Sequence, residues 1–215
     1  MRRSPAQPKL SRESILDAAL VLIERDGLDA LSMRRLAAEL DAGTMSLYVY
    51  FADKAELLDA LVDWVAAVAP LPELHGPWRD RLTAVMTHMY EALSAHPAIA
   101  RLRVSQPIAT PGAFRFTEAA LSALRDAGFD AATAARHFRT LFLFTFGVAV
   151  FGAPASPEQR GRAAGALAML PRDEYPTLTG QLGEMLESLD SPVQFEHGLA
   201  VLLDGVEASA PARSR

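Results

Sequence analysis

The sequence predicts an all-α protein, and three features of the chain carry that prediction. Half of its residues are hydrophobic, and the strong helix formers alanine and leucine dominate. Apolar residues recur at spacings of three and four, as they do along one face of a helix. Glycine, proline and capping residues interrupt this pattern, and no strand-hairpin pattern accompanies it. We therefore expect roughly nine or ten helices.

The N-terminal part of the chain predicts a basic arm followed by a small helical domain. Residues 1–10 contain prolines and basic residues without apolar periodicity, which is typical of a disordered segment. A plain terminus and an arm that contacts DNA phosphates explain this composition equally well. Residues 11–56 predict three helices, of which the first lies between the N-cap Ser11 and the stop Gly27.

The second and third helices form the most informative pattern of the chain. Ser32 caps a short second helix, a tight turn follows at 40–43, and Thr44 begins a third helix that extends to about Tyr50. Leu47 is the apolar anchor of this third helix, so most of its polar and aromatic side chains must face water. A short exposed helix after a tight turn is typical of a helix-turn-helix that enters the major groove of DNA.

The remaining sequence predicts a connecting helix and a larger domain. Asp53 and Glu56 resemble a capping box, and the fourth helix then connects the two domains over residues 57–70. The larger domain is expected over 77–208. Its helices are expected from Trp78 to His96, at 98–105, from Thr110 to Gly128, at 131–151, from Ser156 to Pro171, at 177–189 and at 191–208.

Composition and missing motifs exclude several classes of function. The chain has no cysteine, which removes disulfides, zinc fingers and thiol catalysis. No apolar run is long enough to cross a bilayer, and the N-terminal arginines are not followed by the apolar segment of a secretory signal, so we expect a cytoplasmic protein without membrane contact. The motifs of serine hydrolases, zinc proteases and P-loop enzymes are missing, so we expect no enzyme, no cofactor and no metal. A structural adaptor is disfavoured, because it would not need the exposed third helix.

The segment from Leu10 to Leu61 resembles the N-terminal domain of the TetR family of bacterial transcriptional regulators. RESILDAAL, the G-x-x-x-LSMRRLA run, the MSLY helix with the aromatic after it, and D-K-x-x-L-L-D-A-L carry the resemblance. More weakly, the rest of the chain is similar to the tetracycline-repressor branch. The resemblance implies a repressor that a small, largely apolar effector releases from a palindromic operator. A transcriptional activator or a ligand-independent regulator of the same fold is the alternative.

The resemblance, together with the exposed third helix, predicts contacts with double-stranded DNA. Thr44, Met45 and Tyr48 are expected at the groove or the backbone. The guanidinium of Arg34 suits a guanine or a phosphate, and Lys54 is expected to bind a phosphate. The complete predicted set is Ser32, Arg34, Thr44, Met45, Ser46, Tyr48, Tyr50 and Lys54.

Some of these residues have plainer interpretations. Ser32 is equally well explained as an N-cap alone, and Tyr48 as a residue that packs partly under the turn. The neighbouring Arg35 is expected to be a solvated charge. Asp41 replaces the turn glycine usual in the family; aspartate can adopt the left-handed conformation, but it adds a negative charge near DNA.

The larger domain is expected to form a homodimer. The helix at 131–151 is apolar on all sides, so it must be covered on all sides, either inside one chain or by a partner. The resemblance implies a four-helix bundle that this helix and the last helix form with their copies in the second subunit. The predicted interface residues are Phe144, Phe151, Phe195, Leu199 and Leu202.

The same domain is expected to contain an apolar effector site. Methionine and aromatic side chains suit an adaptable cavity, although ordinary core packing explains any single one of them. The predicted pocket residues are Met86, Met89, Tyr90, Arg103, Gln106, Phe114, His137 and Phe142. In the tetracycline repressor a histidine, an asparagine and a phenylalanine bind the magnesium–drug chelate. They align with Ala69 or Pro70, Val85 and Met89, so we expect neither tetracycline nor magnesium as the ligand.

Overall fold

The computed structural model describes residues 10–68, 71–100, 111–152, 157–187 and 191–211, and within these ranges the regular structure is entirely helical. The all-α prediction is therefore confirmed. The helices are α1 (Arg12–Asp26), α2 (Met33–Glu39), α3 (Thr44–Tyr48), α4 (Lys54–Val68), α5 (Trp78–Ala95), α6 (Pro111–Asp126), α7 (Ala131–Phe151), α8 (Pro157–Ala168), α9 (Pro176–Gly180), α10 (Leu182–Glu187) and α11 (Ser191–Ala208). No helix in the described ranges combines the length and apolarity needed to span a membrane.

The chain divides into two compact units, and the division differs from the predicted one. The first unit contains Met1–Leu71 and His96–Phe116, and the second contains Pro72–Ala95 and Thr117–Arg215. The return of the chain to the first unit was not predicted. The chain returns because Ile99 is buried in the hydrophobic core of the first unit, together with residues of α1, α2 and α4. Helix α6 consequently begins in the first unit and continues into the second.

Local capping explains where the helices of the first unit begin. The Ser11 hydroxyl accepts from the Ser14 backbone N–H at 3.1 Å, and the Ser14 hydroxyl accepts from the Ser11 N–H at 2.9 Å. This reciprocal pair is a capping box for α1. The predicted start of α4 is confirmed, since Asp53 Oδ1 accepts from the Glu56 N–H at 2.8 Å. Glu56 in turn accepts from the Ala52 N–H at 2.7 Å.

The second unit is organised around α7, which packs against both α5 and α11. Asp130 caps α7 by accepting from the Thr133 backbone N–H at 2.9 Å. Arg79 of α5 forms ion pairs with Asp204 and Glu207 of α11. The predicted bounds of α7 are confirmed. They could be predicted from the sequence because the cap and the apolar pattern of this helix are both local features.

Three helical predictions need adjustment. The third helix ends at Tyr48, two residues early, because the Leu47 carbonyl accepts from both the Tyr50 and the Phe51 N–H and so tightens the last turn. The single helix predicted at 177–189 is two short helices, α9 and α10, separated at Gln181. The helix predicted at 98–105 is seen as helical residues 97–100, and its remainder lies outside the described residues, as does the arm at 1–9.

Candidate nucleic-acid interface

A Schellman motif closes the turn between α2 and α3. The Ala42 N–H donates to the Ala37 carbonyl at 2.9 Å, and the Asp41 N–H donates to the Ala38 carbonyl at 3.2 Å. Asp41 adopts the left-handed conformation, with a φ of 48°. The predicted conformation of Asp41 is confirmed, and the turn keeps its geometry without the usual glycine.

Helix α3 presents one exposed face. Leu47 is fully buried beneath it, whereas Met45 is 77% and Val49 is 81% exposed. Tyr48 is also exposed, so the face has the spacing i, i+3, i+4 expected of neighbouring side chains on a helix. Val49 lies on this exposed face and was absent from the predicted set, although its position four residues after Met45 was the signal that could have placed it there.

The C-terminal end of α3 is tied to the start of α1. The Tyr50 hydroxyl donates to the Leu10 carbonyl at 2.8 Å, and Arg12 Nη1 donates to the Tyr50 carbonyl at 2.8 Å. The Arg12 guanidinium also lies 4.3 Å from the ring centroid of the buried Phe51. The structure gives Tyr50 a structural role, since its ring is half-buried and its hydroxyl donates inside the protein, and its contact with DNA stays a prediction. Tyr50 and Arg12 position α3.

Lys54 lies beside the first turn of α2. Its ammonium donates to the Leu31 carbonyl at 2.7 Å, immediately before the N-cap Ser32. Ser32 accepts from the Arg35 backbone N–H at 3.2 Å, which confirms its capping role. An ammonium has three donors, so this hydrogen bond leaves Lys54 able to bind an anion at the end of α2.

The adjacent residues Arg34 and Arg35 have different surroundings. The Arg35 side chain is 48% exposed, as a solvated charge should be, and it pairs with Asp26 at 2.6 Å. Arg25 binds both Asp26 and Glu39, and its hydrogen bonds are the main cause that lowers the pKa of each carboxyl. Arg34 is exposed, and within the described ranges it has no hydrogen-bond or ion-pair partner. Arg34 is thus the cation of α2 that remains available.

The predicted pocket residues fall into several environments. Met86, Met89 and Tyr90 are buried on α5. Phe142 is half-buried on α7, with its ring stacked on Phe146 at 5.8 Å between centroids. Phe114 is exposed and belongs to the first unit, and Arg103 and Gln106 lie outside the described residues.

His137 lies near the start of α7. Its ring meets the Phe129 ring edge-on at 4.7 Å, and its Nε2 lies 3.2 Å from the Ser209 hydroxyl. Burial, and secondarily the charge of Arg136, lowers the pKa of His137. Folding therefore shifts His137 toward the neutral imidazole.

Two of the predicted interface residues belong to the core of their own subunit. Phe195 and Leu199 are 2% and 3% exposed, and Phe195 stacks on Tyr90 with 4.1 Å between ring centroids. Their assignment to the dimer interface is therefore corrected. Phe151 is 86% exposed, and Phe144 and Leu202 are half-buried. Apolar surface thus remains uncovered on both helices.

Comparisons with known proteins match both parts of the chain. The family model "Bacterial regulatory proteins, tetR family" covers residues 15–61, and "Tetracyclin repressor-like, C-terminal domain" covers residues 69–210. An HTH-type transcriptional regulator of Saccharopolyspora erythraea is 32% identical over 97% of this chain and 89% of its own length. The tetracycline repressor protein class A from transposon 1721, of Escherichia coli, is 31% identical over 92% of this chain and 91% of its own.

The structural comparison agrees with these matches. ActR of Streptomyces coelicolor, in complex with actinorhodin, superposes with a TM-score of 0.80 and 30% identity. The match covers 97% of this chain and 100% of that chain. The chain belongs to the TetR family of bacterial transcriptional regulators, with a tetracycline-repressor-like C-terminal domain, and acts as a ligand-responsive, DNA-binding regulator of transcription.

Proposed function

We propose that this regulator is a repressor, which binds a palindromic operator as a homodimer and leaves it when a small, largely apolar effector binds. The observation that carries the proposal is the exposed face of α3, which the buried Leu47 and the hydrogen-bonded Tyr50 hold in place near the cations Arg34 and Lys54. A helix of this size contacts only a few base pairs, so useful specificity needs two copies. Two copies must lie about 34–36 Å apart to enter successive major grooves.

The side chains around α3 divide by chemistry into two kinds of contact. The Arg34 guanidinium can donate two parallel hydrogen bonds to a guanine, and Tyr48 and Met45 offer a hydroxyl and an apolar surface to base edges. Lys54, Ser46 and Thr44 supply donors for phosphates, which fix the register of the protein on the duplex. Val49 adds an apolar contact for a thymine methyl group.

The proposed dimer interface consists of the apolar surface that one subunit leaves uncovered. Along α7, the fully buried positions Leu141, Thr145 and Ala149 follow one face. Leu143 lies on the opposite face and is half exposed, and Phe151 is almost fully exposed. On α11, Val201 is likewise exposed. A second copy that covers these helices would form the four-helix bundle, with the same patch used on both subunits.

The proposed effector site is the sulfur-rich and aromatic interior of the second unit. ActR, which shares the fold, binds actinorhodin. Val85 and Met89 are buried apolar positions, and they support an effector other than a magnesium–tetracycline chelate. Reversing a 99:1 operator-bound population needs about 5.5 kcal/mol of preference of the effector for the free form. By linkage, operator DNA must weaken effector binding by the same factor.

A fluorescence-anisotropy titration tests the DNA-binding half of the proposal. Labelled duplex from the region upstream of the gene is titrated at two salt concentrations with the wild-type protein and with Lys54→Ala. We expect Lys54→Ala to weaken binding to every duplex and to reduce the salt slope by about one unit. Equal binding of the cognate duplex and a scrambled duplex by the wild-type protein contradicts the proposal.

Oligomeric state and effector response need separate measurements. We expect Phe151→Asp to produce monomers in sedimentation analysis, because it places a charge in the interface, whereas Val21→Asp on the exposed side of α1 leaves the dimer intact. A thermal-shift screen should include actinorhodin and magnesium–tetracycline. Strong stabilisation by magnesium–tetracycline would contradict the proposed ligand class, and a monomeric wild-type protein would contradict the dimer.

A further inference from the structure

The hydroxyl of Thr145 behaves differently from those of three other helical threonines. Thr83, Thr140 and Thr179 each donate to the backbone carbonyl four residues earlier, at 2.7 to 3.1 Å. That is the ordinary partner of a threonine hydroxyl inside a helix. The Thr145 hydroxyl instead contacts Sδ of Met86, 3.6 Å away on α5.

This contact leaves a strong donor with a weak acceptor. Thr145 is the one buried polar side chain in the part of the chain that the structure describes. Buried hydroxyls normally have a strong hydrogen-bond partner, because an unsatisfied one costs free energy. A thioether is only a weak acceptor. Among the described residues, the fold thus gives this interior hydroxyl no acceptor stronger than a thioether.

The partner of Thr145 is a flexible side chain that lies one helical turn before an aromatic residue of a ring stack. Met86 is fully buried, and a methionine side chain can change conformation easily because it has three rotatable bonds. Tyr90, one turn further along α5, stacks on Phe195 with the ring planes 4° apart. Phe144 lies 6.2 Å beyond Phe195 and nearly parallel to it, at 15°. One hydroxyl therefore faces the thioether of Met86, which precedes by one helical turn the first ring of a stack of flat rings.

We propose that Thr145 is the subsite that recognises an acceptor oxygen, a carbonyl or quinone oxygen, on a flat, ring-containing effector. In the free protein the Met86 sulfur takes the place of that oxygen. When the effector binds, the thioether moves aside and the hydroxyl donates to the better acceptor. This inference rests on the proposed effector site and names the chemistry that the site selects. A hydrocarbon of the same shape gains no such hydrogen bond.

A matched pair of probes tests the proposal in the full-length protein. The ketone 9-fluorenone and the hydrocarbon fluorene have the same flat outline and differ at the carbonyl oxygen. Affinities are measured by quenching of tryptophan fluorescence for the wild type, Thr145→Val, Thr145→Ser and the control Thr140→Val. We expect the wild type to bind fluorenone about 3- to 10-fold more tightly than fluorene, the size of one net hydrogen bond.

The variants separate a subsite from a structural hydroxyl. Thr145→Val should remove the preference for fluorenone and leave the affinity for fluorene unchanged, while Thr145→Ser and Thr140→Val should keep the preference. Because the thioether contact contributes little, Thr145→Val should also melt at or above the wild-type temperature. Any one of three results overturns the assignment of Thr145 as the subsite. The wild type shows no preference for fluorenone, Thr145→Val keeps that preference, or Thr145→Val melts several degrees below the wild type.

Operator binding is measured on the same preparations, so that the two proposals can fail separately. A wild type that binds operator and fluorene but ignores the carbonyl contradicts the Thr145 subsite alone. A wild type that binds neither probe contradicts both the effector site and the subsite. A wild type that does not bind operator contradicts the proposed repressor function, whatever the result with the probes.

Discussion

The two units of this molecule expose apolar surface in different ways. In the first unit a short helix of five residues, α3, presents large exposed side chains, and the cations Arg34 and Lys54 lie nearby. In the second unit, exposed apolar side chains extend along α7 and α11, two helices of 21 and 18 residues. A small apolar face beside cations suits a charged polymer, whereas a long apolar face suits another protein surface. The extent of the surface and its neighbouring charges therefore distinguish the two kinds of partner.

The largest expected effect is the loss of the single anchor beneath α3. Leu47→Ala should lower the free energy of unfolding by about 2–4 kcal/mol, because the side chain is fully buried and leaves a cavity. Operator binding should fall with it, since α3 has no other buried side chain. Chemical denaturation measures the loss. The control Val21→Ala, at an exposed position of the same unit, should stay within about 0.5 kcal/mol, and equal losses in the two variants would refute the anchor role.

The next effect distinguishes the two adjacent arginines. Arg34→Ala should weaken operator binding by about 1–3 kcal/mol and flatten sequence preference, because its guanidinium is the available one. Arg35→Ala should leave sequence preference unchanged and lower the melting temperature slightly, because it removes the ion pair with Asp26. Titrations with the operator and single-base variants provide the measurement. Two variants with identical preference profiles would show that Arg34 does not contact bases.

A smaller effect should come from the turn. Asp41→Gly should raise the free energy of unfolding by up to about 1 kcal/mol, because glycine adopts a positive φ without the steric cost that aspartate has. It should also strengthen DNA binding at low salt by removing a negative charge. Thermal unfolding and salt-dependent titration measure the two parts. Asp41→Ala is the control, and it should be destabilising because it keeps the Cβ at that φ.

The smallest expected effects are the responses of the two units to acid. In the first unit the pKa of Asp26 and of Glu39 is lowered, so their stabilising effect is complete above the unfolded pKa of about 4 and is lost below it. In the second unit the lowered pKa of His137 destabilises the fold as the pH falls below about 6.5, where the unfolded chain is protonated first.

Two variants separate these pH windows. Arg25→Gln should reduce the loss of stability below about pH 4, and His137→Asn should remove the loss that begins near pH 6.5. Melting temperatures from pH 7 to pH 3 provide the measurement. A change in the same pH range for both variants would contradict the assignment of the two windows to the two units.

Local sequence patterns predicted the helices well, but they did not predict contacts between residues that are far apart in the sequence. Capping residues and apolar spacing are local, which is why α7 and the buried Leu47 were predicted correctly. The hydroxyl of Tyr50 reaches Leu10, 40 positions away, and Asp63 accepts from the Gly112 N–H at 2.8 Å across 49 positions. No periodicity encodes such pairs.

The interface was the harder part of the prediction. Helix α11 has apolar residues on two faces, and spacing alone cannot decide which face the subunit buries for itself. The resemblance to the family assigned Phe195 and Leu199 to a partner, whereas stacking with Tyr90 places Phe195 inside its own subunit. The exposed Val201 on the other face shows where the pattern was ambiguous.

The hydrogen bond between Tyr50 and the Leu10 carbonyl has a practical consequence for handling the protein. It holds the backbone at Leu10 against the end of the helix proposed to enter DNA. An affinity tag or fluorophore fused at the N-terminus therefore joins the chain end that meets, at Leu10, the surface proposed to contact DNA, where a cationic tag would mimic specific affinity. Labels for binding assays belong at the other end of the chain, and truncations should stop before Leu10.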